Sequence, residues 1–154
     1  MPLTLPRHRL LLISLCLGLA GCNPSAPPDT FPGQPVTQRN QLFKQMLRSL
    51  EPIGLMLRGK QPYDADAVIG HADQLQQLST QPWTHFPAGS DYAPTKAKAA
   101  IWEKPQEFKR AQDDFIAATA ALASTAKTRD KNTLRSAHDA VSESCSACHK
   151  AFRR

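Results

Sequence analysis

The chain has 154 residues with 19 Lys and Arg against 13 Asp and Glu, a formal net charge of +6, and 41% hydrophobic residues. That length suits one domain around one core, and so mild a balance, with no basic stripe or aromatic platform, argues against a nucleic-acid binder. Of four cysteines, at 16, 22, 145 and 148, the first two fall within or beside an N-terminal leader, so only Cys145 and Cys148 remain in the body, where an oxidising compartment would pair them unless something else consumed them.

The first 21 residues read as an export signal. Arg7 and Arg9 precede the apolar run LLISLCLGLA, which is too short to span a bilayer, and Gly21 and Cys22 follow. Without this segment the net charge falls to +4, because both arginines leave and no acid does. The box LAGC, residues 19 to 22, resembles the cleavage site of bacterial lipoproteins, which implies lipidation at Cys22; an ordinary signal cleavage nearby is the alternative. Asn23 in the next position is similar to the outer-membrane type of sorting. Residues 22–36 hold five prolines and no apolar period, and are expected to form a tether.

From Thr37 the pattern is helical. Phe43, Met46, Leu50, Ile53 and Leu57 recur at three and four, so one apolar stripe runs to a stop at Gly59. Pro52 inside it predicts a bent helix rather than two short ones, since the stripe stays in phase. Arg39, Lys44, Arg48 and Arg58 read as a solvated face. A second helix starts near Asp64 with Val68, Ala72 and Leu75 inward. The loop TQPWTHFPAGSDYAP is expected to be tied over the bundle rim by Trp83, Phe86 and Tyr92, and Trp102 to cap the core. A third helix opens on Pro105 and carries Phe108, Ala111, Phe115, Ala118 and Leu122 inward. After a polar turn, a fourth aligns Leu134, Ala137, Val141, Cys145, Cys148 and Phe152. Four amphipathic helices and no alternating segment predict an all-α, antiparallel four-helix bundle. His71, His85 and His138 have no partner pattern and read as surface or loop residues.

The chemistry sits in CSACH. Cys145 and Cys148 are three apart, so their thiols share one helix face, and His149 projects about 100° round the axis from Cys148. Two thiols that bond the edge of a flat macrocycle, beside an imidazole for its central metal, need that arrangement, which is the attachment pattern of a c-type haem. Three alternatives stay open. A redox-active pair belongs at a helix N-terminus rather than in its last turns. A zinc site needs a fourth ligand, from His138, His85 or His71. A disulfide is awkward between cysteines three apart in a helix.

With the motif go the helix RNQLFKQMLRSLEPIGLMLRG continuing into QPYDADAV, the loop LSTQPWTHFP, and Ile101–Trp102 before the third long helix. Together they make residues 37–154 resemble cytochrome c prime. The resemblance implies one covalent haem c, thioether-linked at Cys145 and Cys148 with His149 as axial iron ligand. It implies Phe43 in the distal position, where low-spin relatives carry a methionine, and hence an open, high-spin, five-coordinate iron. Arg39 matches an arginine that pairs with a haem propionate, Asn40 stands where a glutamine usually makes a second contact, and Arg153 falls near the proximal pocket. The alternatives are Phe43 as plain core, Arg39 as a solvated surface residue, and Met46 or Met56 as a sixth ligand. The expected function is an exported, periplasmic, non-enzymatic haem protein that binds nitric oxide and carbon monoxide, tethered to the outer membrane through Cys22; the second reading is a one-electron carrier with periplasmic redox partners. A third is an exported structural helical protein with an incidental disulfide. The family resemblance also implies a homodimer through the first two helices.

Overall fold

The computed structural model describes residues 27–154; the export signal and Cys22 lie outside the described residues. Four long helices, α1 Pro35–Leu57, α2 Ala65–Leu78, α4 Pro105–Thr128 and α5 Lys131–Phe152, pack as a four-helix bundle. The sequence pattern did not anticipate two short pieces in the long connection, a 3₁₀ turn Pro82–His85 and the single-turn α3 Ala100–Glu103.

Local chemistry sets the boundaries. The Asp64 carboxylate accepts from the amides of Asp66 and Ala67, and Asp130 from that of Asn132, so α2 and α5 start on side-chain caps. α4 opens on Pro105, whose missing N–H costs nothing there. α1 stops where Gly59 takes φ 69° and the Lys60 amide turns back to the Leu55 carbonyl. The helix runs on through Pro52 without interruption; the proline removes a single backbone donor, and flanking contacts of Ile53, Met56 and Leu57 in the core hold the turn.

The main core joins Ile53 and Leu57 of α1, Leu75 of α2, Leu122 of α4, and Leu134 and Val141 of α5. A smaller cluster of Ala97, Ile101, Phe108 and Phe152 closes one end. α1 and α5 approach closely at Gly54, where an added Cβ would lie 2.9 Å from His138 Nε2. His138 is therefore buried at 9% exposure, not a surface residue as its lack of pattern suggested; its Nδ1 lies 3.3 Å from Asp139 Oδ1.

The proline-rich segment also departs from expectation. Pro35 and Val36 already belong to α1 and are buried, and Asp29 is buried against Thr37 and Tyr92. At least residues 29–36 are thus part of the folded body rather than a free tether. Tyr92 stacks on Phe31 and bonds Asp29, which holds the first turn of α1.

Candidate haem site

Between the two core clusters lies a cavity of about 600 Å³. Cys145 packs against the larger cluster and Cys148 against the smaller, so the two thiols border the cavity from one helix. Both are free. Burial raises both thiols, and Cys148, further raised by the neighbouring Cys145, is pushed up to about 11. His149 lines the same cavity; burial first, and then the charge of Arg153, holds its imidazole below the ordinary value. A neutral imidazole keeps a lone pair for a metal.

The opposite wall comes from α1. Phe43 is 37% exposed and turns its ring edge-on to Trp83 at 5.9 Å and to Phe86 at 6.5 Å. It lines the cavity and so is no ordinary core residue, although it sits on the same stripe as Ile53. Met46 reaches the cavity too but is 5% exposed and embedded in the main cluster; Met56 does not line it. Trp83 meets Phe108 at 6.1 Å and Phe115 at 6.2 Å, completing an aromatic wall. The spacing of Phe108 and Phe115 marked them as inward, but nothing in the sequence said they faced a void rather than a neighbour.

Arg39 is not solvated. At 2% exposure its terminal nitrogens donate to the carbonyls of His85 and Ser90 and to the hydroxyls of Ser90 and Thr95, at 2.7–2.8 Å. Its guanidinium also lies 4.5 Å over the Phe86 ring. The side chain clamps the long loop to α1 before it can serve anything else, and Nε takes part in none of these bonds. Sequence reasoning missed Ser90 and Thr95, the partners that make the clamp, because their role depends on a contact across some fifty residues. Asn40, Lys44, Lys96 and Arg153 line the cavity as well, and no carboxylate does among the described residues. Trp102 donates to the Phe86 and Pro87 carbonyls and so ties loop to α3.

Two free thiols one turn apart, the next residue an imidazole, and an apolar cavity between them fit a thioether-linked haem in donor set and in space. The zinc alternative finds no support, since among the described residues no three His, Cys, Asp or Glu side chains converge.

Comparison with known proteins agrees. The model of the family described as Cytochrome C' matches residues 34–153. The cytochrome c' of Cereibacter sphaeroides is 32% identical over 95% of this chain and 97% of its own. The solved cytochrome c prime of Shewanella frigidimarina superposes with a TM-score of 0.78 at 33% identity, over 81% of this chain and 98% of that one. Two solved variants of cytochrome c prime from Alcaligenes xylosoxidans, one with carbon monoxide bound and one a nitric oxide complex, each superpose with a TM-score of 0.75 at 29% identity, over 82% of this chain and 99% of theirs. The chain therefore belongs to the cytochrome c prime family, whose cofactor is a covalently attached haem c.

Proposed function

We propose that this chain is an exported haem protein with one open axial site that binds small neutral diatomic gases, nitric oxide above all. Cys145 and Cys148 would hold the haem edge and His149 would ligate its iron. When bound, the haem would supply an iron able to take up a small ligand.

The observation that carries the reading is Phe43 on the cavity wall: an aromatic ring with no donor or acceptor atom. With Leu50, Leu75 and Phe115 it gives a water molecule no polar partners, so water is disfavoured there. A ligand that needs a hydrogen bond gains nothing from this wall, which selects against dioxygen and leaves nitric oxide and carbon monoxide. Arg39, Lys44 and Lys96 line the cavity and would supply positive charge for the haem carboxylates. The solved relatives with nitric oxide and carbon monoxide support the same ligand class.

A second reading, a one-electron carrier with periplasmic partners, is favoured by one observation: the Met46 thioether also reaches the cavity and could fill the sixth position. A reduced-state absorption spectrum separates the two. A broad high-spin Soret band supports the open site; sharp alpha and beta bands, abolished in Met46→Leu, would assign the chain to electron transfer.

The protein is further proposed to act in the periplasm, anchored by a lipid at Cys22, and to pair as a homodimer through α1 and α2. Fractionation should find wild type with membranes and Cys22→Ala in the soluble fraction; wild type in the soluble fraction rules out the anchor.

A further inference from the structure

The segment before α1 lies outside the stretch that matches the family model, which begins at residue 34. It nevertheless bonds and stacks on Tyr92, two residues before the cavity-lining Pro94. Asp29 is 8% exposed, and its two carboxylate oxygens have separate partners. Oδ2 accepts from the Thr37 amide at 2.7 Å, supplying negative charge to the first turn of a helix that has no acid there of its own. Oδ1 accepts from the Tyr92 hydroxyl, 63 residues away.

The ring of Tyr92 is held by the same segment. Phe31 stacks on it at 5.9 Å with the planes 11° apart. The chain reaches back this way because the Gln34 amide bonds the Phe31 carbonyl at 2.8 Å while Gly33 takes φ 77°, a value glycine adopts without strain.

Tyr92 opens the turn that presents Thr95, Lys96 and Ala97 to the cavity: the Thr95 amide bonds the Tyr92 carbonyl at 2.9 Å. Arg39 grips that turn from the other side through Ser90 and Thr95. Beyond it, the Lys98 amide bonds the Phe152 carbonyl at 2.9 Å and the Arg154 amide bonds the Lys96 carbonyl at 2.7 Å, within one turn and a half of His149. A continuous line of bonds thus joins Asp29 to the chain just beyond the axial histidine.

We propose that residues 29–31 form a strap that positions the cavity edge 92–97, with Asp29 and Tyr92 as positioning residues for ligand entry to the haem. A helix cap alone would need one carboxylate oxygen and no stacked ring; the second oxygen and Phe31 both act on the loop. The gating consequence rests on the gas-binding reading above, whereas the mechanical link does not.

The test uses full-length holoprotein, with carbon monoxide rebinding after flash photolysis and amide hydrogen exchange over residues 92–97. Asp29→Ala and Tyr92→Phe are each expected to speed rebinding by about three- to tenfold, with no further gain in the double variant, and to raise exchange over 92–97. Tyr92→Phe keeps the stacked ring and removes only the hydroxyl, so it guards against a variant that fails to fold. Rebinding at the wild-type rate, with only a lower melting temperature, overturns the strap as a positioning element. If wild type takes up no carbon monoxide, the gas-binding reading fails instead, and unchanged exchange over 92–97 still overturns the strap.

Discussion

Phe43 and Cys148 show how one side chain can carry a testable consequence. Truncating Phe43 to Ala removes the ring that lies against Trp83 and Phe86, and carbon monoxide association should rise by roughly tenfold, about 1.4 kcal/mol off the entry barrier; stopped-flow or flash photolysis reads this, and an unchanged rate would remove Phe43 from the entry path. Cys148 in the haem-free chain is pushed up to about 11 by burial and by Cys145, so little thiolate is present near neutral pH. Alkylation by iodoacetamide at pH 8 should therefore run roughly 100-fold slower than for an exposed cysteine. Asp29 sets an acid limit. Burial pushes its carboxyl up, but the bonds from Tyr92 and Thr37 outweigh that and hold it below the ordinary 3.8. A depressed carboxyl contributes stability that is fully present above pH 3.8 and is lost as pH falls through the lower folded value. The stability gap between wild type and Asp29→Asn, measured by denaturant titration, should be constant above pH 3.8 until Tyr92, ordinarily at 10.0, begins to titrate, and should close as pH falls below 3.8.

At the scale of an element, α1 does three jobs at once: its periodicity advertised the first, the family resemblance implied the second, and nothing in the sequence announced the third. Its stripe buries Met46, Ile53 and Leu57 in the core, it turns Phe43 to the cavity, and it yields at Gly54 to let α5 approach. Gly54→Ala places a methyl 2.8 Å from Arg58 Nη1 and 2.9 Å from His138 Nε2. The arginine can swing away, whereas the buried histidine cannot, so a loss of about 1–3 kcal/mol is expected in chemical denaturation. His138→Ala in the Gly54→Ala background should recover part of it; no recovery would place the strain elsewhere. Leu122, fully buried on α4, should cost about 2–5 kcal/mol on truncation to Ala.

For the whole molecule, the helices and the attachment motif were legible because both are local. Period and caps depend on residues three or four apart, and Cys145, Cys148 and His149 lie within five residues, so backbone geometry alone places them on adjoining faces. The same locality misled at His138, which has no pattern in sequence, and at Arg39 only the family resemblance, not spacing, spoke against a solvated face. Each is buried because a distant segment folds over it: the Ser90–Thr95 turn over Arg39, α1 over His138. The proline-rich arm was misjudged from residue 29 onward for a related reason. Its composition offers no helix or core, yet Asp29 and Phe31 dock because Tyr92 awaits them. What the sequence determined by itself was the set of amphipathic helices and the thiol–thiol–imidazole donor set, since each follows from short-range spacing. Tertiary structure alone decided which aromatic rings face a cavity, which cations face it with them, and which segment braces its edge, because those depend on residues some fifty to sixty positions apart meeting in space.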